Sequence, residues 1–118
     1  GNTMSKSDKL LEALTTLLEE YNHIQSVIEA LPRGYISKKV ISGHVYHYRQ
    51  WREGSHVLSD YVPEALLNGV RQKIVIRKEN EQLLKIIKKD IKKLEKQLLK
   101  SNALSEEEVN ELNAKYNF

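Results

Sequence analysis

The sequence predicts an α+β fold: an N-terminal helix, a three-stranded antiparallel β-meander, a long amphipathic Lys-rich helix and a short C-terminal helix. Three observations carry that expectation. Apolar residues alternate at spacings of three and four through the first segment. Two glycine-bearing turn signals then divide a run rich in β-formers. After Pro63 a second, longer apolar pattern of helical period begins. The 118 residues leave room for one domain, expected to span 1–118 around a small core.

The first helix is expected over 7–31. Leu10, Leu14, Leu17, Tyr21, Ile24, Ile28 and Leu31 form an a/d seam, and Leu11 and Leu18 widen it. Ser7 is the expected N-cap, and Pro32 ends the element. The meander is expected over 35–62, with Ser42-Gly43 and Glu53-Gly54 as its two-residue loops. Pro63 suits a first helical turn, so the long helix should cover 63–100, with a bend near Asn68-Gly69. At ~1.5 Å per residue it would reach on the order of 50 Å. Leu104-Ser105-Glu106-Glu107-Glu108-Val109 reads as a capping box with its hydrophobic staple, opening a helix over 105–116.

Composition narrows the chemistry. Hydrophobic residues are 40% and charged residues 30%, with five glycines and two prolines, which excludes disordered and collagen-like chains. Without cysteine there is no disulfide, thiolate metal site or thiol nucleophile. No apolar run approaches the ~20 residues of a membrane span. No signal-peptide pattern opens the chain, and Gly1-Asn2-Thr3-Met4 reads as a remnant ahead of a start methionine. A cytoplasmic protein without membrane partners is expected.

The net charge of +3 is unevenly spread: −3 over 1–31, +2 over 32–69, +7 over 70–100 and −3 over 101–118. Either the acidic ends lie along the basic helix and neutralise it, or the basic segment faces a polyanion.

Two-residue loops sort the sheet into faces by alternation. One carries Tyr35, Ser37, Lys39, Ile41, His44, Tyr46, Tyr48, Gln50, Val57, Ser59 and Tyr61. The other carries Ile36, Lys38, Val40, Val45, His47, Arg49, Trp51, His56, Leu58, Asp60 and Val62. The tyrosine face is expected to pack on the helices, leaving Lys38, Arg49 and Trp51 at least partly exposed beside Arg52. Such a sheet fits a groove or stacks unpaired bases, whereas small domains also use Tyr and Trp simply as core. Lysines on the back of an amphipathic helix are usually a solvated face, and the 85–100 segment has no Arg to give geometry.

Searches for catalytic chemistry return little. His44 and His47 point to opposite faces, His47 and His56 are too far apart, and His23 has no partner at i+4, so no metal is expected. His47 would face Asp60 across the second hairpin, a base and orienter with no nucleophile. There is no P-loop, no Gly-x-Gly-x-x-Gly and no carboxylate pair, so neither catalysis nor a cofactor is expected.

The stretch Leu31-Pro32-Arg33-Gly34-Tyr35-Ile36-Ser37-Lys38-Lys39, then Gly43-His44-Val45-Tyr46-His47-Tyr48-Arg49-Gln50-Trp51-Arg52-Glu53-Gly54, then Val57 to Tyr61, resembles a family of small, uncharacterised domains from Gram-positive bacteria and their phages. Their shared core is LPxGxIxxK…G…YxYxQxREG…Y, followed by a Lys/Glu-rich helix, and the likeness covers about residues 31–100. It implies a mobile-element context. In size, charge and lack of catalytic residues the chain is also similar to anti-CRISPR inhibitors.

The expected function is therefore non-enzymatic: docking on nucleic acid or on a nucleoprotein complex, a CRISPR effector being one case. The expected contacts are Arg33, Lys38, Lys39, Arg49, Trp51, Arg52, Lys89, Lys92, Lys93 and Lys96. The alternative is a helical homodimer joined through Leu84, Ile87, Ile91, Leu94 and Leu98, with a purely structural sheet.

Overall fold

The computed structural model describes residues 3–118; Gly1 and Asn2, part of the expected N-terminal remnant, lie outside the described residues. The order is α1 (Lys6–Glu29), β1 (Tyr35–Ile41), β2 (His44–Glu53), β3 (His56–Val62), α2 (Glu64–Lys100) and α3 (Glu106–Tyr116). This is the expected α+β architecture, with one antiparallel sheet ordered β1-β2-β3. Two compact units divide the chain: residues up to Val27 with Glu81–Phe118, and Ile28–Asn80.

The first unit is helical. Leu14, Leu18, Ile91 and Leu98 are fully buried, joined by Tyr21, Ile24, Ile87, Leu104 and Val109. Each such aliphatic side chain stabilises the fold by about 1.5–3 kcal/mol relative to exposure. Ser5, not Ser7, caps α1: its hydroxyl accepts from the Asp8 amide at 3.1 Å. The α3 capping box forms as its spacing predicts. The Glu108 amide donates to the Ser105 hydroxyl at 3.1 Å, and the Ser105 amide donates to Glu108 Oε1 at 3.0 Å. Leu104 and Val109, the staple pair, are both buried. The C-terminus returns to α1, where Phe118 meets Tyr21 edge-on at 4.9 Å and Asn117 donates to Asn22 Oδ1 at 3.1 Å.

One polar group sits uneasily in this unit. Glu95 on α2 is half-buried, and its Oε1 and the Oδ1 of Asn113 on α3 are buried without hydrogen-bond partners. Desolvation pushes the Glu95 carboxyl above its ordinary pKa, against a hydrogen bond from Asn113 and the charge of Lys92. The folded state therefore holds this proton more tightly than the unfolded chain. That stabilising contribution is complete below the unfolded pKa and is lost as pH rises through the folded value. Glu95→Gln removes the charge and supplies a donor. It should raise stability at neutral pH by about 0.5–1.5 kcal/mol and lose that advantage below about pH 4, where the glutamate is protonated. Urea melts at both pH values check this; a variant weaker than the parent at neutral pH contradicts it.

The second unit holds the sheet. Ser42 and Gly43 have φ of 51° and 81°, both positive, as a tight two-residue hairpin turn requires. The second loop differs from expectation. Glu53 pairs with His56, so the turn residues are Gly54-Ser55. Such a turn wants φ > 0 at its first central position; Gly54, at 60°, takes that place more easily than Glu53 would. Moving the loop by one residue shifts the pairing by two, which preserves the faces and changes the partners. Arg49 lies opposite Asp60, and His47 opposite Val62, so the expected His47–Asp60 pair does not form.

Helix α2 runs uninterrupted from Glu64 to Lys100, so Asn68-Gly69 does not break it. An added Cβ at Gly69 would meet nothing within 4 Å; this glycine costs some helix propensity and answers no steric need. Arg77 on α2 closes the end of α1, with Nη1 donating to the carbonyls of Ile28 and Leu31 at 2.6 Å each. The Ile28 carbonyl, which also accepts from the Leu31 amide at 3.1 Å, belongs to the last turn of α1, and that of Leu31 lies just past it.

Candidate nucleic-acid interface

Between Ala30 and Arg52 the chain has no acidic residue and carries Arg33, Lys38, Lys39, Arg49 and Arg52. The turns fold most of this stretch into β1 and β2, so the basic charge is laid out across a sheet.

The expected packing of the tyrosine face is corrected. Tyr35 and Tyr61 are 54% and 56% exposed, and Val57 on the same face is open. Tyr46 and Tyr48 are half-buried largely among neighbours on their own face. Their ring centroids lie 6.3 Å and 5.8 Å from that of Tyr61, and Lys39 Nζ stands 4.9 Å from the Tyr48 centroid. The opposite face is the more covered: Val62 is buried, and Ile36, Leu58, Arg49 and Trp51 are half-buried. Its aliphatic residues have no polar atom to satisfy, whereas a tyrosine buried there would need a partner for its hydroxyl. That contrast was available in the sequence and is the signal that would have found Tyr35, Tyr46, Tyr48 and Tyr61.

Arg49 and Trp51 are therefore not free contacts. The Arg49 side chain is only 18% exposed and sits between three partners. It donates to the Arg33 carbonyl at 2.7 Å, lies 3.6 Å from Asp60, and stacks 3.8 Å from the Trp51 ring centroid. Trp51 Nε1 donates to Glu53 Oε1 at 3.2 Å, and Glu53 pairs with Arg33 at 3.4 Å. This cluster fixes the α1–β1 connection against β2. Of the expected sheet contacts, Lys39 and Arg52 share the tyrosine side, Lys38 is exposed on the other, and Arg33 is exposed and paired.

Lys89, Lys92, Lys93 and Lys96 are all exposed and belong to the helical unit. The residues of the expected dimer seam are partly covered within the chain. Ile87, Ile91 and Leu98 are buried within the chain, and Leu84 and Leu94 are half-buried. A heptad pattern needs a partner, and the half-buried Leu84 and Leu94 are what this burial leaves of the seam for a second copy.

Among the described residues no helix is long and apolar enough to cross a membrane, and no three of His, Asp and Glu group as metal ligands do. Compared with known families, the chain matches the model of a domain of unknown function, DUF6788, over residues 7–72, more than half its length, which places it in that family. The match takes in α1 and the whole meander and stops short of the Lys-rich part of α2, unlike the likeness read from the sequence, which ran to residue 100. No curated protein and no solved structure matches.

Proposed function

We propose that this chain, which belongs to the DUF6788 family of unknown function, is a non-catalytic nucleic-acid-binding protein that docks through the tyrosine face of its sheet. One observation carries the reading: a sheet face on which Tyr35 and Tyr61 are exposed and Tyr46 and Tyr48 half-buried, with Lys39 and Arg52 beside them and no acid in the chain from Ala30 to Arg52. Exposed rings offer π-faces to unpaired bases, and the cations attract phosphates without fixing sequence. The exposed lysines of α2 add a less directed attraction. Docking of this kind suits a cytoplasmic accessory protein of phages or mobile elements. The exposed nucleic acid of a CRISPR effector is one concrete target, occupied without chemistry.

Fluorescence anisotropy with a labelled oligonucleotide tests this. Affinity should fall with log[salt] at a slope of about −0.7 per phosphate contacted for a single strand. Tyr61→Ala should weaken binding by about 5- to 100-fold, the worth of one stacked base. Lys39→Glu should weaken it and flatten the salt slope by about 1. Lys6→Glu, on α1, should do neither. Equal losses from Lys39→Glu and Lys6→Glu, or an affinity indifferent to salt, would reject the sheet as the contact surface.

A further inference from the structure

Strand β2 outruns β3. The last β2–β3 pair is His47 with Val62, while β1 and β2 remain paired as far as Ile41 and His44. Residues 39–41 and 44–46 therefore continue as a two-stranded ribbon closed by Ser42-Gly43. Three residues per strand carry it about 10 Å past the three-stranded region. Its tip is apolar and open: Val40 is 68%, Ile41 52% and Val45 53% exposed. Lys38 and Lys39 stand at its base, with no acid nearby in β1 or β2. A turn with positive φ at both central residues holds the ribbon tightly closed.

Where β3 leaves the sheet, the crook beside the ribbon is a hollow of about 270 Å³. Tyr46 and Tyr61 line it together with His44, His47 and Glu64. A bare apolar tip would suit a lipid surface. An apolar tip next to a polar hollow lined by aromatic rings suits a base stack that has been opened, because a displaced base needs both a π-face and hydrogen-bond partners. A two-stranded ribbon also fits the major groove of B-form DNA, which A-form RNA makes too deep and narrow.

We infer that the ribbon is a wedge for DNA at the junction of paired and unpaired strands. The apolar tip, with Val40 on one face of the ribbon and Ile41 on the other, enters the fork beside the last base pair, and the first unpaired base enters the hollow beside Tyr46 and Tyr61. The inference rests on the nucleic-acid reading above and names its substrate class. Apolar side chains at a step already unstacked avoid the few kcal/mol that opening an intact duplex costs, so a fork is favoured over a blunt duplex.

The test uses the full chain and three labelled DNA probes: a single strand, a blunt duplex and a forked duplex with one tail. The fork should bind about tenfold or more tightly than the blunt duplex, which must first be unstacked, and more tightly than the single strand, which offers the tip no base pair. Val40→Thr with Ile41→Thr keeps β-branching, and so the strand, while making the tip polar. It should lower fork affinity to that of the single strand and leave single-strand affinity unchanged. A fork bound no better than the single strand, or a double variant that keeps the preference, overturns the wedge and leaves the tyrosine face standing. An RNA fork bound as tightly as the DNA fork overturns the choice of DNA. Binding to anionic phospholipid vesicles that the double variant abolishes, without a fork preference, assigns the tip to a membrane instead. No binding to any probe overturns the nucleic-acid reading itself.

Discussion

Gly34→Ala is expected to destabilise the sheet unit by about 3 kcal/mol or more, combining backbone strain with overpacking. Gly34 has φ of +103°, outside the range an L-residue readily adopts. A Cβ there would lie 1.9 Å from the Gln50 carbonyl oxygen and 2.8 Å from its carbon. Both are backbone atoms of β2, so no rotamer change relieves the clash. Either the α1–β1 connection lifts or the Tyr35–Gln50 end of the β1–β2 ladder opens. The first alternative also pulls the Arg33 carbonyl from Arg49. Gly43 and Gly54 supply the control. Their φ values are positive as well, but a Cβ at either meets nothing within 4 Å. Alanine there should cost only the left-handed backbone penalty, about 1–2 kcal/mol. Urea melts of the three variants separate the effects; three equal losses would remove the case for a close approach at Gly34. Oligonucleotide binding should weaken with Gly34→Ala as the sheet opens.

Ile91→Ala is expected to destabilise the helical unit by about 2–5 kcal/mol, the usual range for a core Ile truncated to Ala. Ile91 is 0% exposed, as are Leu14, Leu18 and Leu98, so truncation there leaves a cavity closed to solvent. Ile86, five residues earlier on the same helix, is 58% exposed, and Ile86→Ala should change stability by no more than about 0.5 kcal/mol. The pair also decides the oligomer question. If the seam is filled within the chain, the loss at Ile91 is independent of protein concentration. If a second copy filled it, the unfolding midpoint of the parent would rise with concentration. Melts over a wide concentration range, with sedimentation to give the mass, distinguish the two, and a concentration-dependent midpoint would restore the dimer seam.

Much of the fold was legible because its signals are local. The Ser105–Glu108 box, the Ser42-Gly43 turn and the Pro32 stop each act over a few residues, where backbone propensity and short hydrogen bonds decide. The second turn was misplaced by one residue because Glu53-Gly54 and Gly54-Ser55 both contain the glycine that such a turn needs. Only the pairing of Glu53 with His56 resolves which residue occupies the left-handed position. The candidate site was legible in charge and composition, and less so in the side chains that carry it. Charge alone points to Lys39 and Arg52, while nothing local in the sequence tells an exposed tyrosine from a core one.

The sequence by itself determined that there are two sheet faces, which residues share each, that β1 and β2 are basic, and that the helices carry apolar seams in need of partners. The tertiary structure alone decided which face stays open and which seam residues are buried within the chain. By sequence Arg49 is one more cation of a basic strand, and only the fold brings it to the Arg33 carbonyl sixteen residues away. Arg77 has no local reason to be anything but a surface charge on α2, yet it caps carbonyls 46 and 49 residues earlier. Periodicity specifies that a surface must be buried, and charge that it must be satisfied. Neither specifies by what, because that partner is set by chain closure over distances that no local pattern encodes.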